Sequence, residues 1–99
     1  DVREPASDLA VCAAVASAVL DRPVPSRTVW MGEVGLGGEL RSVPHVLERL
    51  TEAAKLGFTK AMVPANALRG RAAPAGMDVR AVGSLSEALR AAGLSPGGD

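Results

Sequence analysis

The most informative stretch of the chain is GEVGLGGELRSVP, residues 32–44. Thr28 to Val34 favours an extended strand, and Gly37-Gly38 suits a tight turn. Glu39 to Val43 then alternates polar and apolar side chains, as a half-exposed returning strand does. The pattern predicts a β-hairpin, with a helix directly after it over His45 to Leu56.

Further helices and strands are predicted on both sides of this hairpin. Leu9 to Leu20 is almost wholly apolar, which is typical of a helix that is buried on all sides. Lys60 to Val63 and Met77 to Val82 are expected to be short strands. The last helix is expected to run from Ser84 to Ala92, because a serine followed three residues later by glutamate forms a capping box.

This alternation of helices and strands predicts one α/β domain over residues 1–93, and residues 94–99 are expected to form a disordered tail. Eleven basic residues balance eleven acidic ones among 99, so overall charge alone does not favour a polyanionic partner. No apolar run is long enough to cross a membrane, so no membrane partner is expected.

The chain has few residues of the types that form catalytic or metal sites. Cys12 is the one cysteine and His45 the one histidine, so no disulfide framework and no cluster of metal ligands is expected. Cys12 is interpreted as a core residue and His45 as a surface or capping residue. Gly35-x-Gly37-Gly38 lacks the lysine of a phosphate-binding loop and is assigned to the hairpin turn. Glu33 and Glu39 are expected to be solvated rather than a catalytic pair.

Residues 65–76 (ANALRGRAAPAG) are predicted to form a mobile loop, with a helical turn at Asn66 to Leu68. Arg69 and Arg71 share this loop, and arginine side chains can bind phosphate groups in pairs of hydrogen bonds. They are therefore candidate DNA-binding residues, and a merely solvated loop is the alternative.

Three segments together carry a family resemblance: residues 4–11 (EPASDLAV), 32–44 and 50–64 (LTEAAKLGFTKAMVP). In this order they closely resemble the C-terminal Lon-protease-like domain of the RadA (Sms) family of bacterial DNA repair proteins. The resemblance implies a ribosomal S5 domain 2-type fold with two layers and a mixed sheet. It also implies that the chain is a C-terminal fragment, truncated at its N-terminal side.

The family resemblance implies a role in recombination and repair. Proteins of this family process branched DNA as ring-shaped ATPases that work with the RecA recombinase in the cytoplasm. The expected partners are the ATPase domain of the same protein, like subunits in a homo-hexamer, DNA and RecA. ATP, magnesium and zinc are expected in the missing N-terminal part, and no cofactor within these residues.

The comparison with Lon peptidases implies that the domain is not an enzyme. Lon peptidases use a serine nucleophile and a lysine base, and the resemblance places Ala6 and Leu47 at those two positions. Neither side chain can attack a carbonyl or accept a proton. The alternative is an active Lon-type peptidase that uses Ser7 with Lys55 or another lysine. A Lon-like domain of another ATPase, such as a chelatase-type protein, is a third possibility.

Overall fold

A computed structural model describes residues 7–96. They form three helices and five strands in the order α1 (Asp8–Leu20), β1 (Thr28–Trp30), β2 (Glu33–Val34), β3 (Leu40–Arg41), α2 (Val46–Lys55), β4 (Lys60–Pro64), β5 (Asp78–Val82) and α3 (Leu85–Ala91).

A parallel sheet with the strand order β1-β4-β5 is the centre of the fold, and β2 and β3 form a separate antiparallel hairpin. Alternate side chains of β4 enter different cores. Ala61 and Val63 pack with α2, and Met62 packs with α1 and α3. The predicted α/β class, with parallel and antiparallel strand pairs, is confirmed. Because helices cover both faces of the parallel sheet, the described residues form three layers where two were predicted.

The predicted hairpin is confirmed, with Glu33 opposite Arg41 and Val34 opposite Leu40. The strand predicted over residues 28–34 is divided at Met31-Gly32, because β1 pairs with β4 while β2 pairs with β3. At the turn, the Glu39 carboxylate accepts hydrogen bonds from the Gly37 N–H (3.1 Å) and the Arg41 guanidinium (3.0 Å). The pKa of Glu39 is lowered, first by a hydrogen bond from its own backbone N–H and then by Arg41.

The last two helices follow the predicted patterns. Helix α2 buries Val46, Leu50 and Ala53, as its apolar spacing predicts. At the start of α3 the Ser84 hydroxyl accepts from the Glu87 N–H (3.1 Å), which confirms the capping box. The Glu87 carboxylate accepts a hydrogen bond from the N–H of Gly83 (2.8 Å), the residue before the N-cap.

Helix α1 is apolar all round but is not buried all round. Leu9 and Ala13 are buried, whereas the exposed fractions of Val11, Val15 and Val19 are 51%, 57% and 76%. The prediction of complete burial was therefore wrong for the outer face. Helix α1 packs against the sheet and α3 on one side only, and no other element within residues 7–96 covers its valines.

The packed part of the chain extends past residue 93, where the tail was expected to begin. The Leu94 side chain is only 1% exposed and belongs to the core between the sheet, α1 and α3. The Arg22 guanidinium also donates to the carbonyl of Ser95 (2.9 Å). Burial of one more leucine thus continues the fold to this point, and residues 97–99 of the predicted tail lie outside the described residues.

Replacing Leu94 by alanine should destabilise the protein by about 2–4 kcal/mol, because it opens a cavity in a core that is closed to solvent. Leu36→Ala is the matched control, since Leu36 is fully exposed at the tip of the hairpin and should change stability by less than about 0.5 kcal/mol. Chemical denaturation followed by Trp30 fluorescence measures both. Equal stabilities of the two variants would show that Leu94 lies in a frayed tail.

Candidate functional site

An open groove of about 880 Å³ runs along the outer edge of β1, between the start of α1 and helix α2. Trp30, Met31 and Phe58 give it an apolar lining, and Ser7 lies within it. The groove also carries four carboxylates, those of Asp8, Glu33, Glu48 and Glu52. Its chemistry is therefore apolar and acidic.

Ser7 is held by two hydrogen bonds at the first turn of α1. Its hydroxyl donates to the carbonyl oxygen of Trp30 (2.8 Å) and accepts from the N–H of Ala10 (3.2 Å). The second bond is an N-terminal helix cap, which satisfies a backbone donor that no helical carbonyl can reach. The hydroxyl thus joins α1 to the carboxyl end of β1. Ala6, the position assigned to the nucleophile, lies outside the described residues.

The structure does not join Ser7 to Lys55, the pair of the peptidase alternative. The Lys55 ammonium lies 3.4 Å from the Glu52 carboxylate at the surface of α2, and both side chains are well exposed. Lys55 does not line the groove, and no hydrogen bond connects it to Ser7. Leu47, at the position assigned to the base, is a half-buried hydrocarbon on α2.

The remaining sequence candidates do not converge on one site. Cys12 is half-buried on α1, and the backbone of His45 is the N-cap of α2, with an exposed side chain that makes no capping bond. Glu33 lines the groove, whereas Glu39 is bonded within the hairpin turn. Among the described residues, no three histidine, cysteine or acidic side chains are placed to hold a metal ion.

Arg69 and Arg71 lie on a hydrogen-bonded turn that follows β4. Successive bonds run from the Ala67 N–H to the Pro64 carbonyl (3.1 Å), from Arg69 to Asn66 (3.1 Å) and from Arg71 to Leu68 (2.9 Å). Because Ala67 is also buried, the turn is anchored to the core where a mobile loop was predicted. It borders a cleft of about 290 Å³.

Two polar residues of these sites were not recognised from the sequence. The Asp8 carboxylate accepts from the N–H of Val34 (3.0 Å), which ties α1 to the hairpin. Asn66 lines the cleft beside the two arginines, with its backbone in the left-handed region (φ 67°). The signal for Asn66 was present, since asparagine tolerates that conformation better than most residues. The bond of Asp8 spans 26 positions and has no local signal.

Helix length gives one further observation: within residues 7–96, every helix is too short or too polar to span a lipid bilayer.

Replacing Ser7 by alanine should lower stability by about 1–2 kcal/mol, because α1 loses its cap and the Trp30 carbonyl loses a donor. Ser26→Ala is a suitable control, since the Ser26 side chain is exposed and the change should stay within about 0.5 kcal/mol. Thermal unfolding compares the two. If Ser7→Ala were as stable as Ser26→Ala, the hydroxyl would not be a structural link.

The chain resembles known proteins over most of its length. Residues 3–67 match the family model described as subunit ChlI of Mg-chelatase. The chain is 53% identical over 91 residues to the DNA repair protein RadA of Pseudomonas aeruginosa. It is 50% identical over 88 residues to that of Escherichia coli and 46% over 88 to that of Streptococcus pyogenes serotype M6.

These matches cover 89–91% of this chain but only 19–20% of the relatives, so the chain spans about a fifth of their length. The residues that match the family model include those of the groove and the hairpin. The chain therefore belongs to the family that the ChlI model describes, and within it is a homologue of the bacterial DNA repair protein RadA.

Proposed function

We propose that this chain is a non-catalytic Lon-like domain of a DNA repair and recombination ATPase, acting in ring assembly and DNA interaction during the processing of branched DNA. The observation that carries the non-catalytic part is the Ser7 hydroxyl. It is the hydroxyl that lines the groove, and its hydrogen bonds go to the backbone of α1 and β1.

Peptide hydrolysis by a serine needs a base that removes the hydroxyl proton. In the described residues that proton is directed at the Trp30 carbonyl, which has no basic character. The Lys55 amine is instead paired with Glu52 at the surface of α2. Leu47 has a hydrocarbon side chain at the position where the resemblance to Lon peptidases places the lysine base. This arrangement favours a structural domain over the Ser-Lys peptidase alternative.

A fluorophosphonate probe, which reacts with activated serines, should leave Ser7 unlabelled in the full-length protein. Labelling of the wild type should equal that of Ser7→Ala, because an unactivated hydroxyl bonded to a carbonyl is a weak nucleophile. Peptide mass spectrometry locates any adduct. Stoichiometric labelling of Ser7 that the Ser7→Ala variant abolishes would establish the peptidase alternative.

The outer face of α1 supports the assembly role. Val11, Val15 and Val19 repeat every four residues and form one exposed apolar stripe along the helix. Contiguous apolar surface of this kind is typical of a face that another surface covers. In the proposed protein, subunits form a homo-hexameric ring in the cytoplasm and work with RecA. ATP, magnesium and zinc would be bound by parts of that protein outside these residues.

The turn that holds Arg69 and Arg71 supports the DNA-interaction role. Both side chains are exposed and lie beside one cleft. Guanidinium groups form paired, charge-assisted hydrogen bonds with phosphate oxygens, and such contacts provide most of the salt-dependent affinity for DNA.

Replacing Arg69 and Arg71 together by alanine in the full-length protein should weaken DNA binding about tenfold or more at moderate salt. The slope of log K against log salt concentration should fall by about 1–2, since each arginine neutralises one phosphate. Fluorescence anisotropy at several salt concentrations measures both quantities.

Arg90→Ala is the matched control, because Arg90 is exposed on α3 at the other face of the sheet. This variant should bind DNA as the wild type does. Unchanged affinity and slope in the Arg69/Arg71 double variant would remove the DNA contact from this turn.

A further inference from the structure

We infer that the turn Asn66–Arg71 binds the phosphates of the DNA backbone and not its bases, with Asn66 as a third donor beside the two arginines. This inference rests on the proposed DNA interaction and specifies which part of the DNA the site contacts. Four observations support it: the charge of the cleft, the available donors, the anchoring of the turn and the absence of aromatic side chains from the lining.

Charge is unevenly distributed over a chain whose formal net charge is zero. The groove beside β1 is lined by four carboxylates and one guanidinium, whereas, among residues 7–96, the cleft beside the turn is lined by two arginines and no carboxylate. Asp78 directly precedes Val79, which lines the cleft, but Asp78 is not part of the lining, because successive side chains of a strand point to opposite faces of the sheet. An anion in the cleft thus meets the positive part of the surface.

The two guanidinium groups have donors to offer. The exposed Arg71 side chain donates through its Nε to the Leu68 carbonyl (3.2 Å), and within residues 7–96 its two terminal nitrogens have no hydrogen-bond partner. The Arg69 guanidinium forms no hydrogen bond or ion pair with any residue in the stretch 7–96, and its backbone N–H is bonded within the turn. The exposed Asn66 amide adds two N–H donors at the same cleft. A phosphate group, with several acceptor oxygens, matches this set.

The turn is organised before any ligand binds. Its buried Ala67 and half-buried Leu68 pack against the core that contains α2. Asn66, Arg69 and Gly70 all adopt positive φ angles (67°, 54° and 80°), which fold the backbone tightly. Binding therefore orders only side chains, and the entropic cost of recognition is small.

The cleft lacks the side chains that read unpaired bases. Recognition of single strands relies on stacking of bases on aromatic rings, and none lines this cleft. The two aromatic residues of the chain are elsewhere: Trp30 is buried and Phe58 borders the groove beside β1. Contact through phosphates alone carries no direct sequence information.

The test is DNA binding by the full-length protein and its Asn66→Asp variant, followed by anisotropy with two duplexes of different sequence. Aspartate tolerates the left-handed backbone as asparagine does, so the variant changes charge rather than fold. Ser86→Asp adds the same charge at an exposed site on α3. Asn66→Asp should weaken binding about fivefold to tenfold, by the same factor for both duplexes, and Ser86→Asp by less than about twofold.

A second measurement uses single-stranded DNA that contains 2-aminopurine, whose emission reports base stacking. If the turn contacts only phosphates, removing its arginines leaves base stacking unchanged. At saturating protein, the Arg69/Arg71 double alanine variant should therefore give the same 2-aminopurine emission as the wild type. A changed emission, unequal losses on the two duplexes, or an Asn66→Asp affinity equal to that of Ser86→Asp would overturn the inference. The proposed DNA contact itself fails only if the double alanine variant binds normally, so the two failures are distinguishable.

Discussion

The first turn of α1 is joined to the sheet by three hydrogen bonds, and the architecture depends on this link. Ser7 donates to the Trp30 carbonyl (2.8 Å), the Leu9 N–H donates to the Gly32 carbonyl (3.1 Å), and Asp8 accepts from the Val34 N–H (3.0 Å). Together these bonds position a helix, the end of β1 and the start of the hairpin. Each one satisfies a backbone group that the helix and the sheet leave without a partner.

This link connects structure and function, because it uses the Ser7 hydroxyl, the one hydroxyl that lines the groove within residues 7–96. In the proposed function, the groove is an inherited shape in which the structural contact of Ser7 takes the place of a catalytic one. The surfaces that remain available are the apolar stripe on α1 and the basic turn after β4. They lie on different elements and differ in chemistry, so the proposed assembly contact and the proposed DNA contact would use separate surfaces.

Short sequence patterns correctly predicted the hairpin, α2 and α3, because residues close together in the sequence determine these elements. The hairpin follows from its glycines, α2 from its apolar spacing, and α3 from the capping box at Ser84. Which face of α1 is exposed could not be predicted, because a helix that is apolar on all sides has no polar face to mark the side that other elements leave uncovered. Nor could the burial of Leu94 or the role of Asp8, because both depend on contacts between residues far apart in the sequence. The two arginines of the turn were found from the sequence, whereas the partners of their guanidinium groups, none for Arg69 and the Leu68 carbonyl for Arg71 among the described residues, required the structure.

The proposed function makes this domain a contributor to ring assembly, and the mass of the assembled protein tests that claim most directly. Native mass spectrometry would compare the full-length protein with a form that lacks residues 1–99. If this domain contributes subunit contacts, the full-length protein is expected to be a hexamer and the shortened form to give smaller species. A hexamer of equal stability in both would contradict it, because subunit contacts would then lie wholly outside this domain.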